Sequence, residues 1–167
     1  MKKGNTSIVK PIGFLMLIVL FASFMATINV SVVQALPHLV INEFRVTLDV
    51  DEGVELYNPT GSLIDLSKWI LSDRPLFSAD WPEGEGNMTL SGNIAIDGYR
   101  VFVPNWPTGA SLGNEGDDIY LYDNSTGTPT LVDSVAYGPF GGCPEPEAYW
   151  SACRAPNGID TDNDAMD

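Results

Sequence analysis

After Ala35, apolar runs are short and are cut by turn-forming residues every eight to twelve positions, a spacing that argues for many short strands and against long helices. No stretch beyond that point carries apolar residues at the i, i+3, i+4, i+7 spacing of a long amphipathic helix. "HLVINEFRV" predicts a strand, and "GVELYN" predicts another that Pro59 stops. "SLIDLSKWILSD" predicts a strand pair, or one strand bent around Ser67. "NIAIDGYRVFVP" holds a turn at Asp97-Gly98 and then a strand ending before Pro104. "DDIYLYDN" and "LVDSVAYG" predict two more strands, joined by "NSTGTP". In "DIYLYD", Ile119 and Leu121 point to one face while Tyr120 and Tyr122 point to the other. The expectation is an all-β sandwich.

The amino terminus is of another kind. Lys2, Lys3 and Lys10 precede an uncharged apolar run, Ile12 to Ile28, and "VQA" ends at Ala35. That is the layout of a secretory signal peptide, with cleavage expected after Ala35. The run is also close to membrane-spanning length, so an uncleaved amino-terminal anchor is the alternative. Residues 1–35 are therefore expected to be a signal peptide or anchor, and residues 36–167 a single domain. Either way the domain leaves the cytosol, for the cell surface or the medium.

All 22 acidic residues fall after Ala35, where Arg45, Lys68, Arg74, Arg100 and Arg154 alone oppose them, a net charge of −17. Nucleic acid is excluded as a partner, because binding it depends on cationic groups displacing counterions from phosphates. An anionic membrane surface is excluded on the same ground, leaving membrane contact to the amino-terminal segment alone. Solubility alone accounts for such a field, and basic partners or divalent cations are the alternative that suits it.

Cys143 and Cys153 are the only cysteines, ten apart in an exported chain. They are expected to form a disulfide, against the alternatives of two free thiols or half of a metal site. Asn87-Met88-Thr89 and Asn124-Ser125-Thr126 are glycosylation sequons, both expected in loops, whereas Pro59 disqualifies Asn58.

The ordered runs "LVINEF", "GVELYNPTGSLIDLSKWILSD", "GNEGDDIYLYDNSTGTPTLVDSVAYG" and "RAPNGIDTDND" resemble the lamin-tail domain family in its exported prokaryotic form, from about residue 38 to 167. The resemblance implies an immunoglobulin-like β-sandwich associated with binding and scaffolding rather than with a catalytic centre. Its prokaryotic relatives occur alone or beside secreted hydrolases and nucleases. An accessory component of such an enzyme is thus the alternative to a binding or structural module. "FGGCPEPEAYWSAC" is longer than the connection usual at that place, so its cysteines read as a local addition.

No catalytic set emerges. His38 is the single histidine, just before the first strand, and nucleophilic triads need an imidazole held beside a nucleophile. Carboxylate pairs for glycoside hydrolysis cannot be singled out among so many acids. Trp69 is expected in the core. Trp81, Trp106 and Trp150 lie in loops, where they either cover the ends of the sandwich or make a platform for a sugar or a protein. Asp117 and Asp118, after Gly116, are expected to bond turn amides.

The last stretch, "DTDNDAMD", sets Asp160, Asp162 and Asp164 at positions 1, 3 and 5 of a calcium-loop pattern, with Asp167 nearby. Position 6 is Ala165 where the EF-hand needs glycine. The expectation is turn chemistry and no cofactor, with a loose calcium site on those four carboxylates as the alternative. The expected partner is a protein or another cell-surface component.

Overall fold

The computed structural model describes residues 38–46, 52–76, 86–105, 112–147 and 150–167. The signal-peptide or anchor expectation for residues 1–35 lies outside them, as do Trp81 and Trp106. No helix among the described residues is long and apolar enough to cross a membrane.

Ten strands and one short 3-10 turn make up the regular structure of those residues. The strands are β1 (Val40–Arg45), β2 (Gly53–Tyr57), β3 (Ile64–Asp65), β4 (Trp69–Ser72) and β5 (Asn87–Thr89). They continue with β6 (Asn93–Ile94), β7 (Tyr99–Phe102), β8 (Asp117–Asp123), β9 (Thr130–Tyr137) and β10 (Ser151–Cys153). Two four-stranded sheets run in the orders β10-β1-β2-β7 and β5-β4-β8-β9, with β3 and β6 as a separate pair. All pairings between strands are antiparallel. The domain is all-β, as its turn spacing predicts.

Both large sheets feed one apolar cluster, an arrangement consistent with a β-sandwich. Phe44, Val54, Leu56 and Phe102 come from the first sheet, and Trp69, Leu71, Ile119, Leu121, Val135 and Tyr137 from the second. The Phe44 and Tyr137 rings, one from each sheet, lie 4.7 Å apart. Burying each large aliphatic side chain contributes roughly 1.5–3 kcal/mol, so this shared cluster is the main force holding the sheets together.

Three sequence expectations are refined here. Ile64–Asp65 and Trp69–Ser72 are two strands of different sheets, not one bent strand. The break between them is built by Asp65, whose Oδ1 accepts from the Ser67 amide at 2.9 Å, and by a turn in which the Trp69 amide reaches the Leu66 carbonyl. In β8, Ile119 and Leu121 are buried as the alternation requires, but Tyr122 is buried as well. A register shift at Leu121/Tyr122 displaces its strand neighbour, and its hydroxyl accepts from the Leu76 amide at 3.3 Å. Asn87 of the first sequon opens strand β5 opposite Ser72 rather than lying in a loop. Asn124 does sit in the turn between β8 and β9, with its side-chain oxygen buried.

Polar groups tie the layers where apolar packing cannot. β1 bulges between Ile41 and Glu43, leaving Asn42 as the extra residue. The Asn42 carbonyl accepts from the Arg154 amide at 2.9 Å, and its side-chain oxygen accepts from the Gly158 amide at 2.9 Å. The chain after β10 is thereby clamped onto the bulge. At the end of β2, buried Asn58 donates to the Ser62, Ile94 and Ala95 carbonyls and accepts from Thr60, so one side chain ties together two stretches of backbone.

Candidate functional site

The outer face of the β10-β1-β2-β7 sheet carries an open groove of about 410 Å³. Its floor is set by register. Glu43 lies opposite both Cys153 and Glu55, and Glu55 opposite Val101, so one row crosses all four strands. The next row runs Ser151, Arg45, Gly53. Trp150, just before β10, and Val103, just after β7, form the rims. Trp150, Val101 and Val103 are 70%, 60% and 65% exposed, so their apolar surface is open to solvent. Trp150 is thus not a cover for the end of the sandwich.

The polar part of the groove is pre-positioned. Asn42 Nδ2 donates to Glu55 Oε1 at 3.0 Å, and the Ser151 hydroxyl donates to Glu43 Oε1. Each glutamate therefore has one oxygen held by a fixed donor. Tyr57 and Tyr99 stack beside the row at 4.7 Å, and the Tyr57 hydroxyl is shifted upward by burial and by Asp97.

Three of the four carboxylates of the alternative calcium reading make contacts within the fold. Asp160 Oδ2 is 3.3 Å from Arg154 Nη1, while its Oδ1 accepts from the Asp162 amide at 3.0 Å. Asp164 Oδ2 accepts from the Ala136 amide on β9 at 2.8 Å. Asp167 accepts from the Thr161 hydroxyl and amide at 2.6 and 2.9 Å. Asp162 sits at φ +55, a left-handed turn conformation that Asp tolerates. Among the described residues no three His, Cys, Asp or Glu side chains are arranged to hold a metal ion. Calcium is expected to shift the melting temperature little, and equally in the wild type and in the Asp162→Asn, Asp164→Asn double variant. A large shift that the double variant abolishes would make the segment a calcium site.

Cys143 and Cys153 are separate thiols here, the first half-buried and the second exposed. Both border one small cavity of about 30 Å³ between β1, β9 and β10, together with Val135, Ala152 and Asp164. Burial, and then Asp164, push the Cys143 thiol upward. His38 is half-buried at the start of β1, its Nδ1 2.9 Å from the Leu39 carbonyl oxygen.

Asp117 does the work expected of it. Its two oxygens accept from the Gly113 and Asp118 amides, both at 2.9 Å, and hold the turn that leads into β8. Tyr137 donates its hydroxyl to the Gly113 carbonyl at 2.8 Å from the other side. Its ionisation is pushed up by burial and by Asp117 and Glu52.

The most displaced carboxylates lie in the core, away from the groove. Asp133 on β9 accepts from the Ile41 amide on β1 at 2.6 Å and from Arg154 Nη2 at 3.1 Å, joining the two sheets. Loss of hydration raises it to about 6, against the opposing pull of Arg154 and the Ile41 amide. Asp73, at the end of β4, is also raised to about 6, by burial first, with Asp117 and Glu52 adding to it and Arg74 opposing it. Its Oδ1 is buried without a hydrogen bond, 3.5 Å from Arg74 Nε. Gly86 is required beside it, since a Cβ there would overlap the Asp73 carboxyl and its φ is +67.

The sign of the pH dependence follows. A carboxyl raised from 3.8 to about 6 binds its proton more tightly folded than unfolded, so its contribution is full below the unfolded value and is lost as pH rises toward 6. Two such groups make the urea midpoint at pH 5 higher than at pH 7.5, by at most about 1.4 kcal/mol per group, because that window covers only the one pH unit below 6. Asp73→Asn should flatten the profile. A midpoint that instead rises from pH 5 to 7.5 contradicts the burial of these two acids.

No family model matches the chain, and no curated protein or solved structure matches it.

Proposed function

We propose that the domain is an exported, non-catalytic binding module, an immunoglobulin-like β-sandwich of the lamin-tail type that works at the cell surface or outside the cell. The observation that carries this reading is the groove on the outer face of the β10-β1-β2-β7 sheet, where Trp150, Val101 and Val103 leave apolar surface exposed on a rigid strand platform. Isolated exposed apolar residues are ordinary, whereas a rimmed group beside pre-positioned polar atoms is the pattern of an interaction site. Asp133, one of the two displaced carboxylates, is engaged in joining the two sheets through the Ile41 amide and Arg154, which supports a role without chemistry.

In this reading residues 1–35 direct export, and the Cys143 and Cys153 thiols pair as a disulfide once outside the cytosol. Protein recovered after export should begin at Leu36, or keep its amino terminus in the membrane fraction as an anchor. Both cysteines should resist alkylation until reductant is added. For the binding role, immobilised wild-type chain and a Trp150→Ala variant are challenged with cell-envelope material from the producing cells. Retention by the wild type and loss in the variant is the expected result. Equal retention by both, or none by either, refutes a binding role for this face.

A further inference from the structure

We infer that Asn124 is a glycosylation site of the folded, exported domain, carrying an oligosaccharide on its side-chain amide nitrogen, and that Asn87, with the same three-residue motif, is not. This rests on the export reading, since the motif is an acceptor in secreted proteins.

The fold puts the two motifs in different surroundings. Asn87-Met88-Thr89 is the whole of β5, paired residue by residue with Ser72, Leu71 and Ile70 of β4. The pairing is fastened at both ends: the Gly86 carbonyl accepts from the Asp73 amide at 2.9 Å, and the Leu90 amide donates to the Trp69 carbonyl at 2.8 Å. Asn87 is itself engaged within the fold. Drawing this segment into a transferase would strip a strand from its sheet.

Asn124-Ser125-Thr126 lies instead at the tip of the β8–β9 hairpin, between Asp123 and Thr130. The Gly127 amide donates to the Asn124 carbonyl at 3.1 Å, closing a four-residue turn, and the Ser125 amide donates to Asp123 Oδ1 at 2.7 Å. Backbone and Asp123 thus build the turn. Asn124 Oδ1 takes no part in it: the atom is buried without a hydrogen bond, which turns the nitrogen on the same carbon toward the solvent side of this half-buried residue. Asn42 and Asn58 differ, each having both its oxygen and its nitrogen engaged in holding backbone or side chains.

The tip also has room for a bulky adduct. Ser125, Thr126, Gly127 and Thr128 are all exposed, and a Cβ placed on Gly127 would meet nothing within 4 Å. The Thr126 hydroxyl, the motif's other recognition group, is at the surface and donates to the Thr128 carbonyl at 3.2 Å within the same turn. The transfer is a substitution at the anomeric carbon of a polyprenyl-phosphate-linked oligosaccharide. A bond forms from Asn124 Nδ2 to that carbon, and the bond from the carbon to the phosphate oxygen breaks. The oxygen leaves with the electron pair, and the Nδ2 proton passes to a base of the transferase. A hydrophilic group at this tip flanks Thr130–Tyr137, at the edge of its sheet among the described residues, and hinders pairing of that edge with another chain.

The test is mass spectrometry of the full chain expressed in the producing cells, as wild type, Asn124→Gln, Thr126→Val and Asn87→Gln. Tryptic cleavage after Lys68, Arg100 and Arg154 places the two motifs on separate peptides, residues 69–100 and 101–154. Exported wild type and Asn87→Gln are expected to carry a sugar mass on the 101–154 peptide. Asn124→Gln and Thr126→Val are expected to lose it completely while keeping the wild-type circular dichroism spectrum. Thr126→Val retains the acceptor, so its loss reports recognition of the motif rather than removal of the amide. Sugar on the 69–100 peptide, or sugar on 101–154 that persists in Asn124→Gln, would overturn the proposal. Exported wild type with both peptides unmodified would overturn it while leaving the export reading standing, whereas protein retained unmodified in the cytosol would overturn both.

Discussion

Arg154→Met is expected to destabilise the domain by about 3–5 kcal/mol, the range found when one member of a buried ion pair is removed. The Arg154 side chain is 5% exposed, with Nη2 3.1 Å from Asp133 Oδ1 and Nη1 3.3 Å from Asp160 Oδ2. The second contact is an ion pair without hydrogen-bond alignment, so the first carries more of the interaction. Methionine fills much of the volume but leaves two buried carboxylates facing each other. The cost is therefore electrostatic, and it should be smaller at pH 5 than at pH 7.5, since Asp133 takes up a proton near 6 even with Arg154 present. Adding Asp133→Asn and Asp160→Asn to Arg154→Met should recover part of the loss. Urea titrations of the three proteins at both pH values provide the measurement. A loss below about 1 kcal/mol, unchanged with pH, would show that the guanidinium is hydrated in solution and that the two sheets are not joined through it.

The second large effect is expected at Leu121→Ala, at about 2–5 kcal/mol. Leu121 is fully buried at the centre of β8, with Leu71 of β4 as one Cα partner and Asp133 of β9 as the other. Deleting its side chain removes contacts in the cluster shared by both sheets and opens space beside the carboxylate that bridges them. Leu131→Ala is the matched control. That residue is 50% exposed near the start of β9, and its loss should stay within about 0.5 kcal/mol. Similar losses at the two positions, measured by urea midpoints, would contradict the burial assigned to β8.

The strands that the sequence reveals are those whose alternation is local. β8 and β9 are long, and the inward row of β9, Asp133, Val135 and Tyr137, keeps period 2. β5 and β10 are three residues each, "NMT" and "SAC", and exist as strands because β4 and β1 pair with them. No local pattern marks segments that depend on a partner so far away in the chain. Asp133 carried a usable signal, an acid at a core-facing register inside an apolar run, which implies a buried cation elsewhere. The bulge at Asn42 carried none, because a register shift depends on the facing strand. The candidate site was legible only at Trp150, singled out as a loop aromatic. Glu43, Glu55, Val101 and Ser151 come from four strands separated by up to about a hundred residues, and register alone places them in adjoining rows. "DTDNDAMD" shows the converse. Its spacing matches a calcium loop locally, while the fold sends its acids to Arg154, Ala136 and Thr161.

Binding through the outer face of the β10-β1-β2-β7 sheet is tested most directly by nuclear magnetic resonance of backbone amides, valine and leucine methyls and indole groups while solubilised cell-envelope material from the producing cells is titrated in. The expected result is a saturable set of shifts at Val101, Val103 and Trp150, with Leu121 and the Asp160–Asp167 segment unmoved. Shifts centred on Asp160–Asp167, or spread in proportion to surface charge with Trp150 silent, would contradict it.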